Sequence, residues 1–173
     1  MRRLMVVLCL VAFGAAAAGA AEMRFPKTGK HAFLVDLPRG WHTKTDARGG
    51  LLLIPPATSQ HAMLYLGIIT DDSLRNAELG AVALAAAKPT GLDHFSTKEP
   101  ARITDRKGKV HRGTAFIGKV PEKHNMFRRA KIIIIPLSPG VWAQAWVVSQ
   151  YGASPAEQRA LEAVLDSLTL VGE

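Results

Sequence analysis

Four isoleucines in succession, Ile132-Ile133-Ile134-Ile135, constrain the fold of this chain more than any other feature. A strand points alternate side chains to opposite faces, so this run is apolar on both and must be covered on both. Ser138-Pro139-Gly140 follows, with proline setting φ and glycine allowing the left-handed position, and predicts a hairpin loop. The next strand, Val141 to Gln150, again has two apolar faces: Val141, Ala143, Ala145 and Val147 oppose Trp142, Trp146 and Val148. Ser154-Pro155-Ala156-Glu157 is a capping box with proline at the first helical position, and Leu161, Val164, Leu165 and Leu168 form one stripe at helical spacing. Residues 131 to 168 thus specify a hydrophobic centre.

The rest of the chain supplies partners for it. His31 to Leu37 alternates Phe33, Val35 and Leu37 on one face and ends at Pro38-Arg39-Gly40-Trp41. His42 to Ala47 and Leu51 to Ile54 flank Arg48-Gly49-Gly50, which can supply the positive φ of a tight hairpin, and Pro55-Pro56 closes the second strand. His61 to Ile69 puts Ala62, Leu64, Leu66 and Ile68 on one side, Met63, Tyr65 and Ile69 on the other. Asp71, Asp72 or Ser73 then caps a helix running to about Lys88, and its many alanines predict close packing on a sheet. Arg102 to Arg106 and Lys109 to Lys119 are joined at Lys107-Gly108, and Pro121 to Asn125 leads into a strand from Met126 to Pro136. Hairpins dominate and two helices are available, so the expected class is α+β: a mainly antiparallel sheet sandwiched between helices.

Residues 1 to 20 have the parts of a secretory signal: Arg2 and Arg3, an apolar run from Leu4 to Ala18, and the small residues Ala18-Gly19-Ala20, with cleavage expected after Ala20. The apolar run is shorter than the ~20 residues of a spanning helix. No transmembrane segment is expected after cleavage, and 21–173 forms one domain, periplasmic or secreted. Cys9, the only cysteine, lies inside the signal, which removes thiol catalysis, disulfides and cysteine ligands from the exported chain.

Charge is unevenly placed. The chain carries +8, and Lys98 to Lys131 alone holds eleven lysines and arginines against Glu99, Asp105 and Glu122. Antiparallel pairing of 109–119 with 126–136 would set Lys119 near Met126 and Lys109 near Pro136. Lys98, Lys119, Lys123, Arg128 and Arg129 would then gather at one sheet end, and Arg106, Lys107 and Lys109 at the other. At ~3.4 Å per residue the groups stand about 25 Å apart, beyond the ~8 Å screening length of physiological salt. Lys119, Lys123, Arg128 and Arg129 are the candidate site for an anionic partner: an acidic protein surface, lipid headgroups or a cell-wall polymer. Solvation of sheet edges and turns is the plainer role for the same charges. Export and the lack of any base-reading motif argue against nucleic acid.

No nucleophile elbow, His-Glu-x-x-His, phosphate loop or dinucleotide fingerprint occurs, so no catalytic, metal or cofactor residue is assigned and no cofactor is expected. The six histidines lack ligand spacing, and a helix cap accounts for Asp71-Asp72. Tyr65, Trp142 and Trp146 are candidate pocket residues, although large aromatics on a central strand ordinarily fill core. The main functional expectation is a non-enzymatic accessory or binding protein. The alternative is a periplasmic hydrolase or other enzyme with a site near Trp142, Tyr65 and a histidine, which requires a deep pocket with convergent polar side chains.

Phe33-x-Val35-x-Leu37-Pro38-x-Gly40-Trp41, the Gly49-Gly50 hairpin, the mid-chain helix and the closing Leu165-Asp166-Ser167-Leu168 resemble the PsbP-like α/β/α sandwich superfamily. That group includes an extrinsic photosystem subunit, a nuclear transport accessory protein and many bacterial exported proteins of unknown role. The resemblance implies an antiparallel sheet between helices and a binding or accessory role. It carries over no catalytic residue.

Overall fold

The computed structural model describes residues 21–56, 62–88, 92, 94–119, 129–149 and 153–172. Among them, ten strands form one curled mixed sheet: β1 (Ala21–Phe25), β2 (Ala32–Leu37), β3 (His42–Thr45), β4 (Leu51–Ile54), β5 (Ala62–Thr70), β6 (Thr97–Asp105), β7 (Val110–Gly118), β8 (Arg129–Ser138), β9 (Val141–Ser149) and β10 (Thr169–Val171). Their order is β1-β2-β10-β6-β7-β8-β9-β5-β4-β3. Every pairing is antiparallel except β10 with β6. Two helices accompany the sheet, α1 (Leu79–Ala87) and α2 (Pro155–Asp166), with a 3-10 turn at Asp72–Leu74. The chain is therefore α+β, as its pattern requires.

The isoleucine run lies in β8 between β7 and β9, and all four side chains are buried. Strand alternation sends them into two different cores. Ile133 and Ile135 join Ala143, Ala145, Leu64 and Leu66, and pack with Leu161, Val164 and Leu165 of α2. Ile132 and Ile134 join Trp142, Trp146 and Val148, and pack with Val82, Ala83 and Ala87 of α1. The entry to α2 is fixed by the capping box: Glu157 N–H donates to Ser154 Oγ at 3.2 Å, and Ser154 N–H to Glu157 Oε2 at 2.6 Å.

Several expectations need correction. The helix predicted from Asp71 to Lys88 is two elements. Asp71 Oδ1 accepts from Ser73 N–H at 2.9 Å and Ser73 Oγ–H at 2.6 Å, while Asp71 N–H donates to the Gly140 carbonyl at 3.0 Å. This local capping competes with a continuous helix and ties the chain to the β8–β9 turn. The α-helix begins only at Leu79, with Glu78 as a cap that makes no side-chain bond. Strand β6 starts at Thr97 rather than Arg102, and Pro100 lies within it. Proline is tolerated because β10 pairs with β6 only at Thr104 and Asp105, leaving the Pro100 half as an open edge. The pairing of β7 with β8 is antiparallel but three residues from the expected register, with Gly118 opposite Ala130 and Thr114 opposite Ile134. Strands β1 and β10 carried no expectation at all. Residues 1–20 and 121–128 lie outside the described residues; β1 begins at Ala21.

Candidate functional site

Two regions of the surface carry chemistry, and the corrected register decides the shape of the first. The next step after Gly118–Ala130 sets Lys119 opposite Arg129, and both are exposed. Neither has a carboxylate partner among the described residues. Lys123 and Arg128 fall outside the described residues, in the connection between them. Arg129 and Lys131 line a shallow groove of about 200 Å³ against α2, with Glu99, Gln158 and Glu162. Lys131 Nζ stands 3.8 Å from Glu99 Oε2, so that side is partly neutralised.

Lys98 does not belong to this group. It is opposite Phe116, whose ring lies in the core beneath α1, so Lys98 points to the other face of the sheet. Arg102 and Arg112, directly opposite one another across β6 and β7, share the face of Lys98. All three are exposed, and among the described residues none has an acidic partner. Like charges set directly across a ladder repel. The expected single end cluster is thus divided between two faces. At the far end, Arg106 is paired with Glu22, and the 105–109 turn is organised by Asp105, whose Oδ1 accepts from Lys107 N–H and Lys109 N–H, both at 2.9 Å. Asp105 Oδ2 lies 3.1 Å from His111 Nε2. That hydrogen bond, with the two from the backbone, holds the Asp105 carboxyl below its ordinary range.

The second region is a cleft of about 650 Å³ between the β3–β4 hairpin tip, β5, β9 and α1. Tyr65 and Trp146 line it, 5.4 Å apart between ring centroids and tilted by 56°. Trp142 does not line it; it borders a separate shallow groove with Leu79, Pro136 and Gly140. Ala83 and Ala87 of α1 pack closely on the sheet as expected, while Ala85 and Ala86 form part of the cleft wall. Asp46 and Arg48 stand at the rim. Asp46 Oδ1 accepts from Arg48 N–H at 3.0 Å and Gly50 N–H at 2.7 Å, and the carboxylate stands near enough to the Tyr65 phenol to act on it electrostatically. Burial first, and then this carboxylate, pushes the Tyr65 phenol up, against a smaller downward pull from Arg48.

Gln144 and Gly67, neither of them a candidate from sequence, complete the floor. Both carried a signal: Gln144 is a lone polar residue in Val-Trp-Ala-Gln-Ala-Trp-Val-Val, and Gly67 interrupts an apolar strand. Among the described residues no histidine lines the cleft. Among the described residues there is no cluster of three metal-ligating side chains. None of their helices is long and apolar enough to cross a membrane.

A curled sheet with α1 against one core and α2 against the other defines an α+β scaffold, and its fold is PsbP-like. Cyanobacterial PsbP (CyanoP) from Synechocystis sp. PCC 6803 has a similar solution structure, with a TM-score of 0.50, 12% identity, and coverage of 88% of this chain and 94% of that one. The crystal structure of LpqN, involved in cell envelope biogenesis of Mycobacterium tuberculosis, is similar at a TM-score of 0.51 and 13% identity, over 87% of this chain and 91% of that one. At these identities the likeness is one of fold. No protein-family model and no curated protein matches the sequence.

Proposed function

We propose that this chain is an exported, non-enzymatic accessory protein that binds an anionic partner through its basic segment. Residues 1–20 are its cleaved signal, and 21–173 its one α/β/α sandwich domain, acting in the periplasm or outside the cell. The observation that carries this reading is the concentration of cations in 98–131, with Lys119 and Arg129 exposed at one sheet end and free of acidic partners among the described residues. Lys123 and Arg128 lie between them in sequence and complete the contact. The setting is consistent with the structural neighbour LpqN, whose own role is in cell envelope biogenesis.

Binding is favoured over hydrolysis by the composition of the cleft. Tyr65, Asp46 and Gln144 converge there, but among the described residues no histidine lines it, and the Tyr65 phenol is held toward its neutral form. The test is retention on anionic vesicles and on envelope fractions, with Lys119, Lys123, Arg128 and Arg129 replaced together by serine. The variant is expected to lose retention in low salt. Unchanged retention of vesicles and of co-purifying envelope components would rule the assignment out.

A further inference from the structure

On the face beneath α1, cross-strand pairs of β5 and β9 form successive rows: Met63 with Val148, Tyr65 with Trp146, Gly67 with Gln144, and Ile69 with Trp142. Three rows are bulky on both strands. The Gly67 row is not, and Gln144 folds into the space: a Cβ on Gly67 would stand 2.8 Å from Gln144 Nε2. On the α1 side, Ala85 and Ala86 contribute only methyl groups to the wall, beside Val82 and Leu74. The cleft thus arises from a missing side chain on its floor and short ones on its wall.

Gln144 is the buried polar residue of the described core, 8% exposed. Trp146 Nε1–H donates to its Oε1 at 2.9 Å, which fixes the orientation of the amide because the indole can only donate. The amide N–H2 is left to the cleft, and among the described residues it has no acceptor. The donor is not sealed in the protein: it opens on the cleft, where water or a ligand oxygen can accept from it. The surrounding surface of Met63, Ile69, Val82 and Val148 is apolar. Such sites, apolar with a few fixed polar groups, are how proteins hold small molecules.

We propose that this cleft binds a small apolar molecule through one carbonyl oxygen, as in a ketone, ester or amide, which accepts from the Gln144 amide. The site is independent of the basic segment and does not rest on the anionic-partner reading.

The experiment uses two fluorescent probes on the exported chain: the naphthyl ketone prodan, and dimethylaminonaphthalene, which lacks the ketone. Saturable one-to-one binding is expected, with the ketone preferred by about 3- to 10-fold, the worth of one hydrogen bond. Gln144→Met keeps the apolar bulk and removes the donor; it should abolish the preference while the ketone-free probe still binds. Ala86→Leu, at a half-buried helix position, should weaken both probes by about tenfold or more by filling the cleft. Circular dichroism checks the fold of each variant, and Ala86→Leu keeps the test decisive if Gln144→Met does not fold. Non-saturable binding, equal affinity for the two probes, a preference that survives Gln144→Met, or unchanged affinity in Ala86→Leu each overturns the proposal.

Discussion

The phenol of Tyr65 lies directly over the backbone of Gly50: a Cβ on Gly50 would stand 2.0 Å from Tyr65 Oη. Close approach, rather than a left-handed φ, is what demands glycine at this position. Gly50→Ala must therefore displace the ring, at a cost of about 1–3 kcal/mol by overpacking. Removing the ring should relieve that conflict, so Tyr65→Ala and Gly50→Ala are expected to be strongly non-additive in urea unfolding. Simple additivity would show that the two do not touch.

Tyr65 also titrates differently in the folded chain. Its phenol is held above the ordinary value of 10.0, chiefly by burial and then by Asp46. A raised value favours the neutral form in the native state, so its contribution to stability is complete below pH 10 and is lost as pH rises through the folded value. Urea unfolding between pH 9 and about 11 should fall more steeply for the wild type than for Tyr65→Phe, which has no proton to lose. Parallel curves would contradict this.

Asp105 gives the opposite dependence. Its carboxyl is lowered below 3.8, first by the hydrogen bond to His111 and also by Lys109 N–H and Lys107 N–H. A depressed value means stability that is present above the ordinary aspartate range and is lost as pH falls through the folded value. Asp105→Asn is expected to flatten the acid limb of the stability profile. Thermal unfolding from pH 6 to about 2.5 measures it, and an unchanged limb would place the acid-sensitive groups elsewhere.

The capping box at α2 is the most local of these features. Ser154→Ala leaves Glu157 N–H without its acceptor and is expected to cost about 1 kcal/mol. Leu161, fully buried in the core beneath the same helix, should cost about 2–5 kcal/mol as Leu161→Ala. Chemical denaturation ranks the two. A cap variant as damaging as the core variant would mean that packing does not hold α2.

The strands with strong apolar patterns and the helix with its own cap were legible in the sequence. Ile132–Ile135, the Pro139-Gly140 turn and Ser154–Glu157 each state their structure within a few residues. What was illegible depended on partners far along the chain. Thr169–Val171 is too short to signal a strand and exists because β2 and β6 flank it. The β7–β8 register is set by which side chains meet their cores, and a three-residue error there moved Lys119 from Met126 to Arg129. The face of Lys98 was illegible for a related reason: its strand begins at Thr97, ahead of the expected Arg102. The cleft was half legible. Tyr65 and Trp146 were candidates, whereas the glycine and glutamine that make the space required knowing that they are cross-strand neighbours.

Lys119 and Arg129 mark the proposed contact at one sheet end, and the division of the basic segment between two faces provides an internal control. The salt dependence of binding to anionic vesicles should be measured for the wild type, for Lys119, Lys123, Arg128 and Arg129 replaced by serine, and for Lys98, Arg102 and Arg112 replaced by serine. The first variant is expected to lose most of the affinity and to flatten the dependence on salt, and the second to change both less. Equal binding by the first variant and the wild type, or a larger loss in the second, would contradict the assignment.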